Sequence, residues 1–168
     1  MLIVFGGLPG TGKTTIAREV VERIEAVYVR VDTIEQSIRS TKIAEDIGPA
    51  GYAVAYGFAK DNLALGRMVV ADCVNPLSIT RSAWRFVAAS ASSPIIEIEI
   101  ICSNTQERRR RVENRVTDIP GLVPPTWSSV LEHDYEPWSE PHEILDAASV
   151  SVAEAIEIIC AKIEAIRH

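Results

Sequence analysis

Gly7-Leu8-Pro9-Gly10-Thr11-Gly12-Lys13-Thr14 stands between an apolar run, Leu2-Ile3-Val4-Phe5, and a helical pattern from Lys13 to Ile24. A short apolar run that stops at glycine reads as a buried strand. Ile16, Val20, Val21 and Ile24 recur at helical spacing, so the segment after the glycines reads as an amphipathic helix. A strand, a glycine-rich bend and a helix start in that order mark a phosphate-binding loop rather than a chance glycine pattern. Gly7, Gly10 and Gly12 let the backbone curl closely around anionic oxygens, and the first amides of the helix point inward. Leu8, Pro9 and Thr11 complete the loop, with Pro9 stiffening it. Lys13 brings a mobile positive charge suited to β- and γ-phosphates. Thr14 offers a hydroxyl to magnesium, and Thr15 can donate toward an α-phosphate oxygen.

The 168 residues suit one compact domain over 1–168, large enough for a continuous core without disulfide or metal staples. An apolar fraction of 47% and a charged fraction of 24% argue for a globular chain and against extended disorder. The formal charge is -6, from 23 acidic and 17 basic residues. That balance disfavours broad, sequence-independent binding to duplex nucleic acid, which relies on many phosphate contacts. A nucleotide or one strand end gripped by a local arginine cluster stays compatible with it. Cys73, Cys102 and Cys160 are odd in number and lack CxxC spacing, so they read as buried thiols. The opening apolar run is too short for a signal-peptide core and lacks a basic leader, and no apolar stretch approaches membrane-spanning length. A cytoplasmic protein with no membrane partner is expected, as a monomer or homodimer.

Five strand candidates follow in order: Leu2–Phe5, Val27–Val31, Met68–Ala71, Ile95–Ile101 and a weaker Glu143–Asp146. Helical patterns fill the intervals, which predicts alternating β and α elements around a mainly parallel sheet. The helices are expected over Thr33–Lys42, Tyr52–Leu65, a stretch capped by Ser78, a basic stretch from Asn104 or Thr105 toward Arg115, Trp127–His133, and Val152–Ile166. Pro120, Pro124 and Pro125 forbid a helix after Arg115. That segment reads either as a lid or substrate loop or as a rigid connector, and residues 104–125 together form the expected lid region.

Asp32 follows Val29-Arg30-Val31 at the carboxyl end of the second strand, where an open α/β sheet places its substrate. A carboxylate there can take the proton of an acceptor hydroxyl or hold that hydroxyl in line with the γ-phosphorus. The competing role is a helix cap, since Asp32-Thr33 also opens a helix and Glu35 completes a capping-box pattern. Asp72 ends the third strand, so it reads as a magnesium-supporting carboxylate acting through water, or as a strand-turn cap. Asn75 either binds acceptor or braces the turn before Pro76. Arg108, Arg111 and Arg115 share a face at three- and four-residue spacing. Arginine there can stabilise charge on a transferring phosphoryl group without losing its own; the bland reading is a solvated helix face, with Arg109 and Arg110 paired to Glu113 and Glu107. Trp127, Tyr135 and Trp138 either cover substrate or pack against the domain.

Taken together these residues resemble the small P-loop kinase superfamily, in its AAA domain-containing group of polynucleotide-kinase-like and small-molecule kinases. Gly7 to Thr14 matches its nucleotide (Walker A) loop, and Asp32 follows the second strand as its acceptor-activating aspartate does. Cys102-Ser103-Asn104, Arg108 to Arg111 and Val112-Glu113-Asn114-Arg115 resemble its lid-helix segment, and Tyr135-Glu136-Pro137-Trp138 a later one. The resemblance implies an α/β/α sandwich of three layers, the P-loop nucleoside triphosphate hydrolase fold, with a five-stranded sheet in the order 2-3-1-4-5. It also implies ATP and Mg2+ as cofactors. The expected reaction is ATP-dependent phosphoryl transfer to a hydroxyl of a small molecule. In that reading Lys13, Asp32, Arg111 and Arg115 are catalytic, Gly7 to Thr15 with Arg108 bind the nucleotide, and Thr14 with Asp72 hold the metal. A nucleotide or polynucleotide 5′-hydroxyl kinase and an ATP-responsive binding protein are the alternatives.

Overall fold

The computed structural model describes residues 1–44 and 46–167. Its centre is strand β1 (Leu2–Gly6), whose first four residues, Leu2 to Phe5, are wholly buried. Side chains alternate along a strand, so Leu2 and Val4 face one layer while Ile3 and Phe5 face the other. Both faces are covered, which is why the strand is apolar throughout instead of alternating with polar residues. Each such side chain contributes about 1.5–3 kcal/mol on leaving water.

Around it run β2 (Val27–Arg30), β3 (Val69–Asp72), β4 (Ile95–Ile101) and β5 (Glu143–Asp146), all parallel, in the order β2-β3-β1-β4-β5. That is the order the resemblance implied. Helices α1 (Lys13–Ile24) and α7 (Val152–Arg167) cover one face, where Ile3, Phe5, Ile98 and Ile100 meet Ile16, Val20, Ile159 and Ile163. Helices α3 (Ala50–Ala64) and α4 (Ser78–Ser90) cover the other, with Trp84, Ala55 and Ala59 packed on Leu2, Val4 and Val69. All three cysteines are buried and free, as expected of structural thiols.

Three helix starts differ from the sequence reading, the simplest being α3, which begins at Ala50 rather than Tyr52. Helix α2 (Val31–Ser40) begins directly after β2, so Val31 is helical and Asp32 lies in the first turn, not at a strand end. The residue before the helix is Arg30, and no side chain caps it, so the Asp32/Glu35 capping box does not form. Glu35 instead pairs with Arg39 at 3.1 Å. Ser78 is the first residue of α4 rather than its cap; its amide donates to Glu136 Oε2 at 2.6 Å, a carboxylate delivered from a distant segment.

Helix α5 (Thr105–Glu113) starts as the sequence suggests, with Asn104 Oδ1 accepting from the Glu107 amide at 3.0 Å. It ends before Arg115. Helix α6 covers only Trp127–Leu131. Among the described residues no helix is long and apolar enough to cross a membrane.

Candidate active site

The loop between β1 and α1 takes its shape from three glycines with positive φ: Gly7 at 137°, Gly10 at 84° and Gly12 at 91°. Two are also sterically obligatory. A side chain on Gly7 would overlap the Ile100 carbonyl of β4, and one on Gly10 would come within 2.7 Å of Val112 in α5. The loop is pinned at both ends, by the Gly7 amide on the Val74 carbonyl (3.0 Å) and by Thr11 Oγ1 on the Leu8 carbonyl (3.0 Å). Gly12 occupies the N-cap position of α1 without any side-chain cap, so the first amides of that helix remain free for an anion.

Over this helix start lies a pocket of about 370 Å3. Lys13, Arg18, Arg30, Arg111 and Arg115 line it with Thr14, and Asp118 is its single acidic residue. In a chain of formal charge -6, these five cations outnumber the carboxylates that offset them, Asp118 in the hollow and Glu107 and Asp32 beside it. The pocket so keeps a positive excess suited to a polyanion. Arg111 is held by Glu107, whose Oε1 accepts from its Nε at 2.9 Å, leaving the guanidinium tip beside Gly12. A second hollow of about 350 Å3 continues from Gly12, Thr15 and Arg111 to Val150 and Val152 at the start of α7.

The expected site residues part company here. Lys13, Thr14, Thr15, Arg111 and Arg115 line the pocket over the start of α1. Asp32 does not line it, yet reaches it through Arg115, whose Nη2 stands 3.6 Å from Asp32 Oδ2. Arg108 turns away from Arg111 and Arg115: its guanidinium lies 5.0 Å above the Trp127 ring, and its stem abuts Gly10 from outside the pocket. Leu8 and Thr11 face that outer side too. Arg109 and Arg110 pair with Glu113 and Glu107 on the solvent face.

Asp72 is almost entirely buried and accepts a hydrogen bond from the Tyr28 hydroxyl at 2.7 Å, with Arg30 Nε 3.9 Å away. Burial, then the Asp72 charge, drives the Tyr28 phenol well above its ordinary value, so it stays a donor. Asn75 is fully buried at φ 53°, its backbone amide donating to Tyr52 Oη at 3.0 Å, while its side-chain Oδ1 and Nδ2 find no hydrogen-bond partner among the described residues. Trp138 packs on Gly6, under the Arg81 guanidinium 4.9 Å from its ring, and donates to Tyr135 Oη at 2.8 Å. Tyr135 in turn donates to Glu99 at 2.7 Å. Packing, then, is what these aromatics do.

Sequence reasoning passed over Arg18 and the role of Asp118. Asp118 Oδ1 and Oδ2 accept from Arg30 Nη1 at 3.0 and 2.9 Å, and Arg18 Nη2 donates to Asp118 as well. The Arg18 hydrogen bond first, and Arg30 behind it, pull the Asp118 carboxyl down to about 2. The signal for Arg18 was its place four residues after Thr14, on the same helix face. Nothing local marks Asp118, because its partners lie on α1 and β2.

A metal must find its ligands in this setting. Among the described residues no group of three or more His, Cys, Asp or Glu side chains could hold an ion. The Thr14 hydroxyl lines the pocket and suits an ion that keeps its waters and leans on nucleotide phosphates, which is the habit of magnesium. Asp72, by contrast, does not line it and is buried against Tyr28 and Arg30.

A family model described as an AAA domain matches residues 2–121. The protein named Probable adenylyl-sulfate kinase of Aeropyrum pernix is 24% identical over 172 residues, spanning 95% of this chain and 90% of that one. Among solved structures, Kti12 of Chaetomium thermophilum in complex with ADP-AlF3 superposes with a TM-score of 0.69 at 24% identity, covering 96% of this chain and 98% of the other. A gluconokinase from Sinorhizobium meliloti gives 0.63 at 17% identity, covering 99% and 97%. These likenesses share the fold just described, and the family match takes in the phosphate loop, Asp32, Asp72 and the arginine helix. The chain belongs to the AAA domain family.

Proposed function

We propose that the protein is an ATP-dependent kinase that transfers the γ-phosphoryl group to a hydroxyl of a small molecule. The observation that carries this reading is the contact between Arg115 and Asp32: a cation of the phosphate pocket stands 3.6 Å from a carboxylate outside it. That contact puts a carboxylate at the edge of the cation-lined hollow, where an acceptor hydroxyl can give up its proton beside the transferring phosphate.

In this reading the free amides after Gly12 and the Lys13 ammonium hold the triphosphate, while Arg111 and Arg115 meet charge that grows on the transferring group. The hollow beside Val150 takes the base, being apolar on the α7 side and continuous with Gly12 and Thr15. Magnesium, held by Thr14, would neutralise phosphate charge. Asp32 accepts the acceptor's hydroxyl proton as the new O–P bond forms and the bond from γ-phosphorus to the bridging oxygen breaks, releasing ADP. Residues 104–125 act as the lid, because Val112 and Arg108 of α5 lie against Gly10 while Asp118, held by Arg18 and Arg30, lines the pocket beside it. Together they keep competing water out.

The names of the relatives support the same class, one being a probable adenylyl-sulfate kinase and the other a gluconokinase. The test is a transfer screen with ATP and Mg2+ against metabolites, nucleotides and oligonucleotide ends, run with the wild type and Asp32→Asn. Transfer to a small alcohol that collapses in Asp32→Asn while ATP binding persists is expected. Stable ATP binding with no transfer across the screen would refute the kinase reading.

A further inference from the structure

A cleft of about 420 Å3 adjoins the phosphate pocket on the side of β2. Ile34 of α2, Val54 and Phe58 of α3, and Ile119-Pro120 from the segment after α5 form its apolar walls. Arg18, Arg30 and Asp118 line both hollows and so make their common wall. Val54 and Phe58 are 50% and 51% exposed, although α3 already buries Ala55, Ala59 and Leu63 against the sheet. Single exposed apolar residues need no explanation. Here two exposed residues of α3 and the exposed Pro120 meet the half-buried Ile34 and the buried Ile119 in one concavity that adjoins the cation-lined pocket. A mostly apolar hollow with a few convergent polar groups has the character and size of a small-molecule site.

We infer that this cleft receives the apolar body of the phosphate acceptor: an alcohol carried on an aromatic or branched hydrocarbon frame, not a polyhydroxylated sugar acid. The inference rests on the kinase reading of the adjoining pocket. A polyol pressed against Ile34, Val54 and Phe58 forfeits its water hydrogen bonds and gains few in return. Of the polar groups lining it, Tyr28 is engaged with Asp72, and Arg18 and Arg30 with Asp118. That leaves chiefly the Thr33 hydroxyl and Arg30 Nε, too few partners for several hydroxyls. A hydrocarbon or aryl frame loses nothing there and leaves its hydroxyl facing the shared wall. Asp32 lines neither hollow but adjoins the cleft through its neighbour Thr33, so the chemistry is unchanged: the acceptor oxygen bonds to γ-phosphorus, its proton goes to Asp32, and ADP leaves.

Initial rates with ATP and Mg2+ on 3-phenyl-1,2-propanediol and on gluconate test this, using the wild type and the variants Val54→Ser and Phe58→Ser. Both positions are half exposed, so the fold should survive, which melting temperature checks. The expected result is a kcat/KM for the aryl diol at least about tenfold above that for gluconate. Each variant should raise the aryl diol's KM by roughly tenfold, the scale on which pockets discriminate apolar groups, with kcat and the KM for ATP unmoved. An unchanged KM in both variants overturns the inference. Transfer to gluconate alone overturns it while leaving the kinase reading intact, and transfer to neither compound by a wild type that binds ATP also counts against it. Failure to bind ATP at all removes the kinase reading itself.

Discussion

Arg115 and Asp32 meet at 3.6 Å, joining the chain just beyond α5 to the first turn of α2. Arg115 lines the cation-rich pocket and Asp32 does not, so in the proposed kinase reading the pair joins the donor side to the acceptor side. Arg115→Ala should cut kcat by about a thousandfold, the scale of an arginine acting on a transferring phosphoryl group, with a small change in the KM for ATP. Arg115→Lys should recover little, because an ammonium lacks the planar fork. Steady-state kinetics with a confirmed acceptor decides it; a KM effect with normal kcat would reassign Arg115 to ground-state binding.

Gly10 links the phosphate loop to α5. At φ 84° a side chain is strained, and a Cβ would sit 2.7 Å from Val112 Cγ2 and 2.9 Å from the Arg108 carbonyl. Gly10→Ala should cost about 1–2 kcal/mol for the left-handed backbone alone. It should also weaken ATP binding, because relief of the overlap moves α5 and Arg111 off the loop. Melting temperature and ATP titration read the two effects separately.

Asp118 ties the segment after α5 to Arg18 and Arg30. Its folded carboxyl lies at about 2 against an ordinary 3.8, so the bridge contributes stability above the ordinary value and loses it as pH falls through the folded one. Asp118→Asn should therefore lower the melting temperature by a constant amount above pH 5. That difference should shrink as pH falls from about 3.8 toward 2. A difference that grew on acidification would contradict the assignment.

How much of this was legible in the sequence depends on the range of each interaction. The phosphate loop, α1 and strands β4 and β5 stand where the pattern puts them, because glycine spacing and apolar runs are local signals. Helix α2 starts two residues earlier than its polar pattern suggests, since Val31 is buried in the core yet helical. Its first turn takes no side-chain cap, so the local Asp32/Glu35 rule had nothing to act on. Arg108 follows the same logic: spacing puts it on the face of Arg111, but Trp127, nineteen residues on, draws its guanidinium away. The Asp118 bridge spans partners 88 and 100 residues distant, beyond any periodicity.

The whole account stands on Lys13 and the free amides beside it holding a triphosphate. Calorimetric titration of MgATP into the wild type and Lys13→Ala measures this directly. The account predicts one saturable site in the wild type, weakened at least about tenfold, or about 1.4 kcal/mol, in Lys13→Ala. No heat from the folded wild type, or equal affinity in the two proteins, would contradict it.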